Sequence, residues 1–127
     1  MAEKKSIDSI KDMLPLAMDS MGVAITIIDS KGTMLYYNKH AEKILDRKPE
    51  YIGKDIHLHH SKTATNEKFD RMLKEFQTGR TDAFHYEAEP YGEVIHVTLT
   101  PIRKDGVLLG CVQAVQLKED TIKGSKI

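Results

Sequence analysis

The sequence predicts a single α+β domain built on an antiparallel sheet. Three observations carry this. The 127 residues suit one hydrophobic core and leave too little chain for a second. Along the chain the apolar residues switch from helical to alternate spacing. The elements also fall in blocks, helix, two strands, short helices, three strands, instead of alternating one for one as a parallel doubly wound sheet requires.

From Ser6 to Met21, the residues Ile7, Ile10, Leu14, Ala17, Met18 and Met21 recur at three- and four-residue spacing, the stripe of an amphipathic helix. Pro15 falls inside it, so the pattern predicts either one helix broken near Leu14 or a short helix ending before Gly22. Val23 to Asp29 is β-branched and apolar, Ser30-Lys31-Gly32 supplies turn chemistry, and Thr33 to Tyr37 reads as a second strand, together a hairpin. Asn38 is an N-cap for a short helix over Lys39 to Leu45, with Ala41, Ile44 and Leu45 on its apolar face. Tyr51 to Thr65 has no clean period, so turns or one-turn helices are expected there. Asn66 to Phe76 returns to helical spacing through Phe69, Met72, Leu73 and Phe76, with Gly79 at the expected C-cap. Three extended runs close the chain, Ala83 to Ala88, Val94 to Ile102 and Val107 to Leu117, separated by Pro90-Tyr91-Gly92-Glu93 and Lys104-Asp105-Gly106.

Composition removes several functional classes. The 19 Lys and Arg are balanced by 19 Asp and Glu, so the basic excess that phosphate recognition shows is missing and no nucleic-acid partner is expected. No apolar run approaches the roughly 20 residues of a bilayer span. The N-terminus, Met1-Ala2-Glu3-Lys4-Lys5-Ser6, lacks a signal peptide's hydrophobic segment. A cytoplasmic protein without membrane association is therefore expected, and the lone Cys111, unable to form an internal disulfide, agrees with a reducing compartment. No enzyme activity and no catalytic residue are expected. Cys111 sits on a Val- and Ala-rich strand as a small core hydrophobe. Glu87, Glu89 and Glu93 occupy alternating or turn positions typical of a solvated face, and no Gly-x-Gly-x-x-Gly phosphate loop is present.

Several local sequences, in order, resemble the signatures of the PAS family of sensor domains. They are Gly22-Val23-Ala24 with Ile28-Asp29-Ser30-Lys31-Gly32, then Tyr37-Asn38-Lys39-His40-Ala41 with Ile44-Leu45, then Gly53-Lys54-Asp55, and last Thr100 to Gly106 with Leu109-Gly110. His59-His60-Ser61 ahead of a helix, Thr78-Gly79 after it and a final strand ending Val115-Gln116 most resemble PAS domains of redox and gas sensors and those fused to hemerythrin-like modules. The resemblance covers about residues 20–118. It implies a five-stranded antiparallel sheet with short helices on one face, whose enclosed space either fills with side chains or holds a ligand.

Alternation divides the last strand into Gly110, Val112, Ala114 and Gln116 on one face and Leu109, Cys111, Gln113, Val115 and Leu117 on the other. The resemblance implies that the first set faces inward, where small side chains leave room and the Gln116 amide reads a ligand. A Gln116 bonded to backbone at a strand end accounts for the same residue. With Val112, Ala114 and Gln116, the helix residues Phe69 and Met72 are expected to line the site. A flavin is not expected, since Asn66-Glu67-Lys68-Phe69-Asp70 stands where the flavin photosensors carry Asn-Cys-Arg-Phe-Leu-Gln.

His57, His59 and His60 are the candidate metal ligands. On a strand His57 and His59 share a face; on a helix His57 and His60 do. Solvated loop positions, haem-iron ligation by one of them, and a zinc site completed by His85 or His96 all accommodate the cluster. Haem relatives in the resembled family take their axial histidine from this region, which makes haem the possible cofactor, with an unidentified small molecule as the other expectation. His85 and His96 alternate with apolar residues and are expected on the far side of the sheet or against a partner.

The chain divides into an N-terminal helical cap or dimerisation segment, 1–21, the core, 22–118, and a C-terminal tail or linker, 119–127. The apolar stripe of the cap predicts pairing with a second copy, although folding back on its own domain accounts for it equally. The expectation is a small-molecule or haem sensor that relays occupancy through helix packing in a homodimer, to an output domain or partner protein. The alternative is a filled-core interaction domain with no ligand.

Overall fold

The expected order of blocks is the order found. The computed structural model describes residues 7–59, 63–90 and 92–120. In chain order the elements are α1 (Ile7–Ser20), β1 (Ala24–Asp29), β2 (Met34–Tyr37), α2 (Lys39–Ile44), α3 (Thr63–Gln77), β3 (Phe84–Ala88), β4 (Ile95–Lys104) and β5 (Val107–Leu117). One-turn 3-10 helices occupy Pro49–Tyr51, Ile56–His59 and Lys118–Asp120. Helix α1 is unbroken through Pro15, which removes a single amide donor from an exposed helix. Helix α3 begins at Thr63, ahead of the expected Asn66, because Thr63-Ala64-Thr65 carries no apolar stripe by which its first turn could be read.

The five strands form one antiparallel sheet in the order β2-β1-β5-β4-β3, so the first and last strands of the chain meet at its centre. Their approach is close: a Cβ on Gly110 would lie 2.1 Å from the carbonyl oxygen of Ile28. Asp105 and Gly106, with φ of 52° and 79°, both take the left-handed conformation of a tight two-residue hairpin joining β4 to β5. The edge strand β2 is not left open. Met34 N donates to Lys54 O at 2.9 Å and Gly53 N to Met34 O at 2.7 Å, so the loop after α2 takes the place of a further strand.

One face of the sheet is covered. Helix α3 lays Phe69, Met72, Leu73 and Phe76 onto Ile28, Met34, Leu99 and Cys111, and Phe76 meets Phe84 with ring centroids 5.3 Å apart. Beside this cluster, Ala41 of α2 joins Ala24, Ile95, Val97 and Val115. Two bulges set which residues point inward. Between Ile102 and Arg103 the pairing passes from Gly110 to Leu108, leaving Leu109 exposed; between Ile27 and Ile28 it passes from Tyr36 to Met34, leaving Leu35 exposed. Helix α1 packs differently, since every residue from Ile10 to Ala17 is exposed, and coverage returns only partly in its last turn, at Met18 and Asp19.

Candidate functional site

At the centre of the covered face the packing is polar. Thr26 on β1 lies opposite Gln113 on β5, and beneath α2's exit the guanidinium of Arg47 reaches both. Its Nε donates to Thr26 Oγ1 at 3.1 Å, its Nη2 to Gln113 Oε1 at 3.1 Å and its Nη1 to the carbonyl of Asp46 at 3.1 Å. Arg47 is 6% exposed and Thr26 0%. A buried guanidinium is held there only because its donors are matched, and the match also fixes the Gln113 amide in one orientation. Asp46, the neighbour of Arg47, lines an open cleft of about 540 Å³ together with Lys43, Ile44, Leu45, Glu93, Ile95 and Leu117. Leu117 and Gln113 share the inner face of β5 about 13 Å apart, at roughly 3.3 Å per residue, so the cleft opens at the end of the strand that carries the polar cluster.

A second polar cluster fastens the 3-10 turn at Ile56–His59 to α3. His57 Nδ1 stands 2.5 Å from Asp55 Oδ1 and Nε2 stands 2.6 Å from Asp70 Oδ1, with the ring edge-on to Phe69 at 6.1 Å between centroids. The Asp55 bond raises the imidazole above its ordinary pKa, partial burial opposes it, and the Asp70 bond raises it again. Both ring nitrogens are thus directed at surface carboxylates. The side chain of His59 and the whole of His60 lie outside the described residues. His85 and His96 belong to the opposite, outer face of the sheet, where His85 Nδ1 meets Thr98 Oγ1 at 3.2 Å and His96 Nδ1 lies 3.4 Å from Glu87 Oε2. They therefore cannot complete a zinc site with His57. Among the described residues no group of three or more His, Cys, Asp or Glu side chains is arranged to hold a metal ion.

The inward set of β5 is Cys111, Gln113 and Val115, with Leu117 packed at its end, and this corrects the expected phase of that strand. Val112, Ala114 and Gln116 lie on the outer face; Gln116 is exposed and pairs with His96. The interior amide is that of Gln113. Phe69 and Met72 do face inward, 4% and 6% exposed, as part of the packed core. Cys111 is wholly buried, and burial pushes its thiol up to about 12, with Asp29 adding to the shift, so it is held as the unreactive thiol.

The family model described as a PAS domain matches residues 14–116. The chain belongs to the PAS domain family. The fold agrees with three solved structures. A C-terminal domain from Streptococcus mutans is 22% identical, with 87% of this chain and 86% of that one covered and a TM-score of 0.72. A PAS domain from Colwellia psychrerythraea is 16% identical, with 88% and 99% covered and a TM-score of 0.67. The PAS domain of the histidine kinase ThkA is 18% identical, with 74% and 97% covered and a TM-score of 0.58. No curated protein matches the sequence. PAS domains act as sensory modules and typically sit in signalling proteins such as histidine kinases.

Membership of the PAS family does not carry the closer likeness to hemerythrin-linked, redox or gas-sensing PAS domains, which the comparisons leave unsupported. The described residues also do not fit a haem. A haem held by His57 would need one of its imidazole nitrogens aimed into a roomy interior. His57 aims both nitrogens at carboxylates, and beneath α3 the volume is taken by Phe69, Met72, Phe76, Leu99 and Cys111, none more than 6% exposed. No helix among the described residues is long and apolar enough to cross a membrane.

The polar interior was not visible from periodicity. Arg47 follows an apolar helical face in sequence, and nothing in Leu45-Asp46-Arg47-Lys48-Pro49 distinguishes a buried guanidinium from a solvated one. Gln113 did carry a signal, since it belongs to the more hydrophobic of the two alternating sets of the last strand, the set that composition alone would turn inward.

Proposed function

We propose that this PAS domain is a non-catalytic sensor of a small polar molecule, read by Arg47, Gln113 and Thr26, which relays occupancy through α1 in a homodimer. The observation that carries the reading is the guanidinium of Arg47, buried and held by two side chains of the sheet, while its chain neighbour Asp46 lines a cleft within the size range of small-molecule sites. A ligand able both to accept from the guanidinium and to donate to Gln113 Oε1 and Thr26 Oγ1 would leave all partners satisfied on exchange, whereas an apolar ligand would strand them. Dimerisation draws support from α1. A helix of 14 residues whose middle is exposed all round, with Ile10, Met13, Leu14 and Leu16 each at least 60% exposed, has no apolar partner for that stretch among the described residues. A second copy of the same stripe supplies one.

The competing reading is an interaction domain with a filled core, and the tight cluster around Phe76 and Leu99 favours it. Native mass spectrometry of the wild type and of an Arg47→Met variant separates the two. The sensor reading expects a bound small molecule on the wild type that is lost from a variant still folded and dimeric. A wild type that is bare, with no thermal shift from any polar metabolite, supports the filled core. Haem enters the same experiment as an outcome: a Soret band on adding haem, lost in a His59→Ala/His60→Ala variant, would replace the polar-ligand reading.

A further inference from the structure

We infer that α1 is an arm whose angle is set by a reciprocal cap with α2, and that Asp19 and Asn38 are its positioning residues. Two helix ends meet here, and each closes the other's open backbone groups. The last carbonyls of α1 and the first amides of α2 have no intrahelical partners. Asn38 Nδ2 donates to the carbonyl of Met18, in the last turn of α1, at 2.7 Å; in return, Lys39 N, in the first turn of α2, donates to Asp19 Oδ1 at 3.0 Å. Asn38 is fully buried, and the rest of its side chain is also used. Its Nδ2 donates to Val23 O at 3.0 Å, and its Oδ1 accepts from Ile25 N at 2.9 Å and from Ala41 N at 3.1 Å. One amide thus joins α1, the start of β1 and the start of α2.

Between that turn and Ser9, α1 gives no competing anchor among the described residues, since Ile10 through Ala17 are exposed all round. The arm therefore takes its direction from its last turn. The joint also adjoins the interior site: Ile25, bonded to Asn38, is the chain neighbour of Thr26, bonded to Arg47. A shift of β1 at Thr26 moves the group that holds the cap. The two states of the device are the cap closed, with α1 held at one angle, and the cap open, with α1 tethered only through residues 21–23. Its use in relay rests on the sensory reading above; its existence does not.

Amide exchange on the ligand-free full chain tests it. In the wild type, exchange at residues 10–19 is expected to proceed independently of Cys111 to Val115. Asp19→Ala is expected to speed exchange at 10–19 about fivefold, the weight of one net hydrogen bond, with Cys111 to Val115 unchanged. Asp19→Asn, which keeps an acceptor for Lys39 N, is expected to restore it. A merely structural role would move both regions together. Asn38→Ser is expected to show the larger effect, and if that variant unfolds, the Asp19 pair still decides the matter. The inference is overturned if residues 10–19 exchange in step with the sheet, or if Asp19→Ala leaves them unchanged. Failure to find a ligand or a dimer would sink the sensory reading and leave this result standing.

Discussion

Arg47 and His57 are two of the cationic side chains that the fold places among specific partners, and they answer to different conditions. His57 is clasped by Asp55 and Asp70 and gains its raised pKa in the folded state. A group with a raised folded pKa contributes stability that is fully present below its unfolded value and lost as pH rises through the folded one. Stability is therefore expected to fall as pH climbs from the ordinary histidine value of 6.5 through the neutral range, and His57→Gln is expected to flatten that part of the curve. Urea midpoints of both proteins across the range check it; parallel curves would count against the clasp. Arg47 does not titrate in this range, so its contribution should not vary with pH. The sequence showed His57 as one of a cluster of three histidines but gave no sign of its carboxylate partners. Asp70 lies a full loop away, and only the start of α3 at Thr63 brings it within reach.

At the scale of elements, the strands were legible because alternation and turn chemistry are local. Asp105-Gly106 fixes a hairpin, and Asn38 caps α2 through Ala41 N as its residue type suggests. The phase of β5 was legible only in the greater hydrophobicity of one alternating set, whereas the resemblance pointed the other way. A one-residue slip turns every side chain to the other face, each alternating set carries one glutamine, and the bulge at Leu109 makes the strand change phase partway along. Gly110 sits between the bulge and the inner run, where β5 touches β1. Gly110→Ala would drive its new methyl into the Ile28 carbonyl and is expected to cost about 3 kcal/mol as the two central strands are pushed apart. Thermal denaturation measures this directly, and a variant as stable as the wild type would mean that the strands can part without loss.

Across the whole molecule, the covered face of the sheet holds the core and the polar cluster, while α1 carries its apolar stripe outside. In the proposed homodimer α1 is the contact. Sedimentation at micromolar concentrations is expected to give twice the monomer mass for the wild type, and Leu14→Asp is expected to give the monomer with its sheet intact; a wild type that stays monomeric excludes α1 as a pairing element. The stripe was plain in the sequence, but its exposure was not, because the same spacing serves a helix folded onto its own domain.

In the proposed relay, occupancy near Arg47 reaches α1. Spin labels at Leu16→Cys in both copies of the dimer test this most directly, because Cys111 is buried with its thiol pushed up to about 12 and will not take the label. The distance between the two labels is expected to differ between protein carrying its co-purified small molecule and protein refolded without it, and Arg47→Met is expected to hold the second value under both conditions. One distance shared by all four samples would contradict it.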